Sequence, residues 1–209
     1  MKIVILGSGN GSNALAILKL ASENALGEAK IVGVLSDVED AGILEHAKNH
    51  GVSNRFINPG TISSKLTGKF EDNWIDEIKQ FSPDLIVLAG FMRVIKQKFL
   101  STFNNKIINL HPSLLPSFPG LNSIKQAFEK KVKITGCTVH WVNQEIDGGE
   151  IIAQAPVRVM EGDTLLSITQ KVHAAEYMLL PAKSAKLRRD TVGLPCSSTH
   201  RSCLLYTSD

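Results

Sequence analysis

Short apolar runs rich in β-branched residues recur along the chain at residues 2–6, 29–36, 55–58, 85–89, 106–110, 134–142 and 151–159, separated by segments of helical period. A strand can lie parallel to the one before it only after a crossover of a dozen or more residues, so this alternation restricts the chain to βαβ units. The predicted fold is therefore α/β: a Rossmann-like, mostly parallel twisted sheet with flanking helices. Helices are expected to begin near Ser12, Ala41, Leu66, Ile95, Ser123 and Thr164. Asp163 and Thr164 supply an N-cap for the last of them, and Pro181 is expected to limit it. The last two strands are joined by the polar segment Asn143-Gln144-Glu145-Ile146-Asp147-Gly148-Gly149-Glu150, which reads as a hairpin with a functional-length loop. An antiparallel C-terminal hairpin thus closes a sheet that begins parallel. A chain of 209 residues, 43% of them hydrophobic, buries one substantial core. One domain is expected over residues 1–187. Residues 188–209 lose all periodicity, and 203–209 read as translated adaptor sequence, so this stretch is predicted to be a non-native or disordered tail.

Charge and cysteine usage narrow the function classes. The formal charge of +3 is spread along the chain without a basic stripe, which argues against nucleic-acid and membrane surfaces and leaves a small anionic substrate open. No run approaches a membrane span, and Met1-Lys2-Ile3-Val4-Ile5-Leu6-Gly7 reads as a buried first strand rather than a secretory signal. The three cysteines, Cys137, Cys196 and Cys203, include no CxxC pair. They suggest neither a disulfide framework nor a zinc site, and a reducing cytoplasmic setting is expected. His46 and His50 lie four apart on a predicted helix, but no carboxylate or cysteine pattern joins them into a metal site, and they read as surface residues. No metal is predicted.

Two segments carry the chemistry. Gly7-Ser8-Gly9-Asn10-Gly11-Ser12-Asn13 follows the first strand and opens a helix, so backbone N–H groups and the helix dipole converge there as they do at a phosphate site. A dinucleotide loop, G-x-G-x-x-G, needs its third glycine where this chain has Ser12. Asp37, near the end of the second strand, keeps an NAD enzyme open as the weaker alternative. The second segment is Asn109-Leu110-His111-Pro112-Ser113-Leu114-Leu115-Pro116-Ser117-Phe118-Pro119-Gly120. Strand alternation puts Asn109 and His111 on one face, at the carboxyl edge where parallel sheets place ligands, and three prolines stiffen the exit. An Asn amide can donate to a developing oxyanion, and a His can donate another bond or shuttle a proton near neutral pH. An acid is wanted beside the imidazole. Asp147 is the best candidate, although on spacing alone a turn aspartate bonding its own backbone, which Asp-Gly favours, is the stronger reading.

Taken together, Ser8-Gly9-Asn10-Gly11-Ser12-Asn13, Ala89-Gly90-Phe91-Met92-Arg93, His111 with its Pro-rich exit to Gly120, and Gly136-Cys137-Thr138-Val139-His140 with Asp147-Gly148 resemble the phosphoribosylglycinamide formyltransferase family, folate-dependent enzymes of purine synthesis. The resemblance runs from the first strand to about residue 186. It implies a catalytic trio of Asn109, His111 and Asp147. It implies that Gly11, Ser12 and Asn13 bind the 5'-phosphate of the substrate and that Glu176 reaches its ribose, with no NAD. It implies that Phe91, Met92, Arg93, Val94, Ile95 and His140 contact the folate, with Arg93 able to pair with a carboxylate of the folate tail. The implied co-substrate is 10-formyltetrahydrofolate, and the implied partners are small molecules acting on a monomer or weak homodimer. Relatives that formylate a charged tRNA usually carry a basic pair in the Leu-Pro segment, where this chain has Ser117-Phe118-Pro119-Gly120.

Overall fold

The computed structural model describes residues 1–62 and 64–186. The predicted tail, 188–209, with Cys196 and Cys203, lies outside the described residues. Strands β1 (Lys2–Leu6), β2 (Lys30–Ser36), β3 (Asn54–Phe56), β4 (Leu85–Leu88), β5 (Ile107–His111), β6 (Ile134–Trp141) and β7 (Ile151–Arg158) form a single sheet in the order β3-β2-β1-β4-β5-β6-β7. Helices α1 (Ser12–Ser22), α2 (Gly42–Asn49), α3 (Lys69–Gln80), α4 (Gln97–Thr102), α5 (Ser123–Glu129) and α6 (Leu165–Lys186) fall between and after the strands. The first five strands run parallel, and β6 is antiparallel to both neighbours. The predicted architecture is the observed one.

Period-two alternation divides the core into two layers. Ile3, Ile5, Val34, Val87, Ile108, Leu110 and Val139 pack on one face with Ala14, Ile17 and Leu18 of α1 and Ile168 and Val172 of α6. Val4, Leu6, Leu35, Ile86, Leu88 and Ile107 pack on the other with Trp74, Ile75 and Ile78 of α3 and Phe99 of α4. Strands buried on both faces leave ligands only the ends of the sheet, and the chain reverses its direction of growth between β1 and β4. In open α/β sheets ligands bind outside the carboxyl ends of the strands at such a switch point.

Several boundaries differ from the sequence expectation. α3 begins at Lys69 rather than near Leu66, because Leu66 is buried in extended chain, Lys65 bridges to Val94, and Gly68 turns with φ 54°. α4 begins at Gln97 because Ile95 is drawn into the core and Lys96 is extended. The cap of α6 is Thr164, whose Oγ1 accepts from the Ser167 amide at 3.2 Å while Ser167 Oγ accepts from the Thr164 amide at 3.0 Å. Asp163 instead takes the Met160 amide, the Ser167 hydroxyl and Lys171. Pro181 does not end α6, which continues to Lys186. Proline removes only its own N–H bond, to the carbonyl four residues back, and packing of α6 on α1, β6 and β7 carries the helix past the gap. His46 and His50 are half-buried rather than surface residues, and His50 Nδ1 lies 2.8 Å from the His46 carbonyl near the end of α2.

Candidate active site

Sheet register brings the separate motifs level. Leu6 is paired with Leu88, Leu88 with Asn109, and Asn109 with His140, one row crossing β1, β4, β5 and β6. The glycine loop leaves from the first position of this row and the 89–95 segment from the second, while Asn109 and His140 are themselves the third and fourth. Ser8 ties the first two loops together: its amide donates to the Gly90 carbonyl at 3.0 Å, and its Oγ accepts from the Met92 amide at 2.8 Å.

At the β5–β6 end, three strand-derived groups converge on Asp147. His111 Nδ1 lies 3.2 Å from Asp147 Oδ2, and the Gly120 amide donates to the same oxygen at 2.8 Å. Asn109 Nδ2 lies 3.4 Å from Asp147 Oδ1 and 3.2 Å from His140 Nε2. Asp147 adopts φ 53°, a left-handed turn position that Asp tolerates better than most residues. The turn is drawn tight against β6: a Cβ on Gly149 would stand 1.7 Å from the Trp141 carbonyl oxygen, so only glycine fits there.

The hydrogen-bond partners set the protonation of the cluster. His140 Nδ1 is 2.9 Å from the Trp141 carbonyl, and its Nε2 lies 3.2 Å from Asn109 Nδ2 and 3.6 Å from Asp147 Oδ1. His111 faces acceptors on both sides, Asp147 at Nδ1 and the Phe118 carbonyl at 2.9 Å from Nε2. Both contacts are hydrogen bonds only when the ring carries two protons. Burial pushes the Asp147 carboxyl up, but the His140 contact, the Gly120 amide and the charges of His111 and His140 outweigh it and hold the carboxyl below its ordinary value. A carboxylate held ionised beside an imidazole whose two nitrogens both face acceptors is the arrangement of a hydrogen-bond donor poised at the carboxyl edge of the sheet.

The exit from β5 is held by residues that sequence reading passed over. Thr138 Oγ1 donates to the Ser113 carbonyl at 2.7 Å and accepts from the Leu115 amide and from Gln154 Nε2, both at 3.1 Å. Gln154 also donates to the Leu115 carbonyl at 2.8 Å. Ser113 Oγ donates to the Ser117 carbonyl at 2.5 Å. Thr138 and Gln154 are paired across β6 and β7. The available signal was a threonine at a buried position in the middle of a strand, whose hydroxyl can be satisfied only by neighbouring chain.

The glycine loop is built from backbone. Gly11, at φ 75°, is the N-cap of α1, and a Cβ there would lie 2.5 Å from Ile43 Cβ. No side chain caps the helix, so the first-turn amides at Ser12 and Asn13 remain available. Glu176 of α6 arrives at the same place, its Oε2 accepting from Asn13 Nδ2 at 3.0 Å.

The expected folate strip is divided by burial. Met92 and Val94 are exposed, whereas Phe91 packs against Trp74 at 5.2 Å between ring centroids and Ile95 is buried. Arg93 is already engaged, its Nε donating to Asp37 at 2.5 Å and an Nη to the Ile62 carbonyl at 2.7 Å. The sequence expectation for Arg93 was a carboxylate on the ligand; the structure supplies one from β2's end instead. The same pair removes Asp37 as a ribose-binding acid. His140, expected against the folate, is buried beside Asn109 and Asp147, because the register places it directly across from Asn109. Among the described residues no group of three or more His, Cys, Asp or Glu has the arrangement of metal ligands, and no helix is long and apolar enough to cross a membrane.

Comparison with known proteins gives a consistent result. Residues 1–183 match the profile of the family described as formyl transferase. The chain is 38% identical over 181 residues to a phosphoribosylglycinamide formyltransferase of Escherichia coli (strain K12), a match covering 87% of this chain and 84% of that one. It is 38% identical over 194 residues to the trifunctional purine biosynthetic protein adenosine-3 of Homo sapiens, covering 92% of this chain but 19% of that much longer protein. A crystal structure of glycinamide ribonucleotide transformylase 1 from Symbiobacterium toebii superposes with a TM-score of 0.84 at 37% identity, covering 90% of this chain and 88% of that one.

Proposed function

This chain belongs to the formyl transferase family, and from that premise we propose that it transfers the formyl group of 10-formyltetrahydrofolate to the amino group of 5'-phosphoribosylglycinamide, a step of purine synthesis. A folate-type formyl donor and small-molecule substrates follow from the family and its named relatives. The observation that carries the mechanistic reading is His111 held between two acceptors beside the Asn109 amide. The reading needs no metal. It belongs with a cytoplasmic enzyme working as a monomer or weak homodimer.

The amine of the substrate attacks the formyl carbon, and the C–O double bond opens to an oxyanion. Asn109 Nδ2 and a protonated nitrogen of His111 donate to that oxygen. For Asn109 this means releasing its longer contact, that to Asp147 Oδ1. Collapse re-forms the carbonyl and expels N10 of the folate, while the proton lost from the amine reaches N10 through water oriented by Asp147. The products are the formylated amine and tetrahydrofolate. Asp147 holds the imidazole at Nδ1, so His111 turns from the Phe118 carbonyl and Asn109 from Asp147 as the oxyanion forms, short movements of groups already aimed at the site. The amine substrate lies between this cluster and the glycine loop, with Gly11, Ser12 and Asn13 at its phosphate and Glu176 at its ribose. The folate lies along the exposed Met92 and Val94, its ring edge toward the backbone of the 91–95 segment.

Tetrahydrofolate release from the formyl donor, followed with and without 5'-phosphoribosylglycinamide, tests the reading. Release is expected only when the amine is present. Release at the same rate without it would replace transfer by hydrolysis.

A further inference from the structure

Where the glycine loop meets α6, a second group of polar side chains gathers that the formyl-transfer steps leave unused. Glu176 is only 2% exposed, yet a single oxygen, Oε2, receives both Asn13 Nδ2 at 3.0 Å and His173 Nδ1 at 2.8 Å. His173 sits one helical turn earlier on α6, with its side chain 41% exposed and its ring stacked on Tyr177 at 6.3 Å and 12° between planes. Because Nδ1 faces a carboxylate, that nitrogen carries a proton in either charge state of the ring. Spending its amide nitrogen on Glu176 leaves the Asn13 carbonyl oxygen buried without a donor, an acceptor that a ligand hydroxyl at this loop would satisfy.

We infer that His173 is a positioning residue for the sugar-phosphate end of the site: by donating to Glu176 Oε2 it fixes the carboxylate against Asn13, and its charged form does so more strongly than its neutral form. This rests on the proposed reading of the glycine loop and Glu176 as the phosphate and ribose sites. A charge-assisted hydrogen bond is roughly twice as strong as a neutral one, and the buried carboxylate needs the compensation. His173 therefore acts on substrate affinity rather than on the formyl carbon.

The surroundings leave Glu176 as the charge that governs His173. Its hydrogen bond raises the His173 pKa above the ordinary histidine value, against the smaller opposite effect of burial. Elements packed on α6 bring Lys19 from α1, Lys125 and Glu129 from α5, Cys137 and His140 from β6 and Arg158 from β7. Of these, Cys137 registers Glu176: burial first, and then that carboxylate, push the thiol up to about 12. It stays neutral and does not compete for the proton. A raised pKa keeps the imidazolium present through the ordinary histidine range, so positioning is strongest there and weakens as pH rises through the raised value.

The test is the KM for 5'-phosphoribosylglycinamide between about pH 6 and pH 9 at saturating folate, for the wild type, His173→Ala, His173→Gln and Glu176→Gln. His173→Ala should raise that KM roughly five- to tenfold, with kcat and the folate KM within about twofold. For His173→Gln, which keeps a donor but not the charge, the ratio of variant to wild-type KM should exceed one at low pH and fall toward one as pH rises. Taking the ratio cancels the titration of the substrate's own phosphate and amine. A ratio that stays flat with pH, or a loss that appears in kcat instead of KM, overturns the inference. If Glu176→Gln raises the KM while neither His173 variant does, His173 is idle and the ribose reading stands. If all three variants leave the KM unchanged, the ribose reading itself fails.

Discussion

The two ends of the site are made of different materials. At the glycine loop, the proposed phosphate end, the chain offers main-chain amides and a helix terminus, and Gly11 is required because both its φ of 75° and the nearness of Ile43 exclude a side chain. At the β5–β6 end, the proposed working groups are side chains of Asn109, His111, His140 and Asp147, and their meeting depends on sheet register. The glycine loop itself should tolerate changes of its own hydroxyl side chain but not the addition of a Cβ at Gly11, whereas Glu176 behind it acts through its side chain. A side-chain-built end should show the reverse, losing function on truncation while keeping its fold.

The sharpest way to break that contrast is His111→Ala. Its kcat should fall on the order of a thousandfold, measured by tetrahydrofolate release, with the far-UV circular dichroism of a folded protein retained. Full activity in this variant would remove His111 from the chemistry. At the other end, Gly11→Val should raise the KM for the amine substrate on the order of a hundredfold and cost about 2–3 kcal/mol in urea unfolding. Ser12→Ala, which leaves the amide in place, should change that KM by no more than about threefold. If Ser12→Ala proved the worse of the two, the loop would be binding through its side chains after all.

A smaller effect is expected one layer behind the side-chain end. Gln154→Leu removes the donor to the Leu115 carbonyl and to Thr138 and should lower kcat roughly tenfold through the looser exit of His111. The KM for the amine substrate should not follow. Asp147 supplies a test by pH. Its folded pKa is depressed, so the stability it contributes is present above the ordinary carboxylate value and is lost as pH falls through the folded one. The difference in urea midpoint between wild type and Asp147→Asn should therefore be widest near neutral pH and narrow as pH falls below the ordinary carboxylate value. The smallest effect belongs to a surface pair away from both ends. The Lys171 ammonium, the Met160 amide and the Ser167 hydroxyl hold Asp163 down at about 2. Lys171→Met should nevertheless shift Tm by only about one or two degrees and leave turnover unchanged, since exposed ion pairs contribute little.

The contrast also explains what could be read from the chain. The α/β architecture was legible because strands buried on both faces must be apolar and crossovers must be helical, and the antiparallel close was announced by the hairpin loop at 143–150. The glycine loop was legible because a helix start after a buried strand has only one kind of backbone to offer. Asn109 and His111 stood out by alternation within one strand. Asp147 did not: by local sequence it is a turn residue, and it joins the site only because β6 pairs with β5 in one register. His140 was placed with the folate by resemblance alone, and nothing local reveals that Asn109 lies across from it. Arg93 looked free to meet a ligand because its partner, Asp37, is 56 residues away. Pro181 marked a helix end by propensity, and tertiary packing of α6 overrode it.

Ser8 has its amide on the Gly90 carbonyl and its hydroxyl under the Met92 amide, so the loop proposed to hold the phosphate and the segment proposed to face the folate share a rivet. Whatever ordering one ligand imposes on that rivet is already done when the second arrives. By linkage, the factor by which the folate tightens binding of the ribotide must equal the factor by which the ribotide tightens binding of the folate. Titrating each ligand by calorimetry with and without an unreactive form of the other would put a single number on that cooperativity, and Ser8→Ala should bring the number toward one.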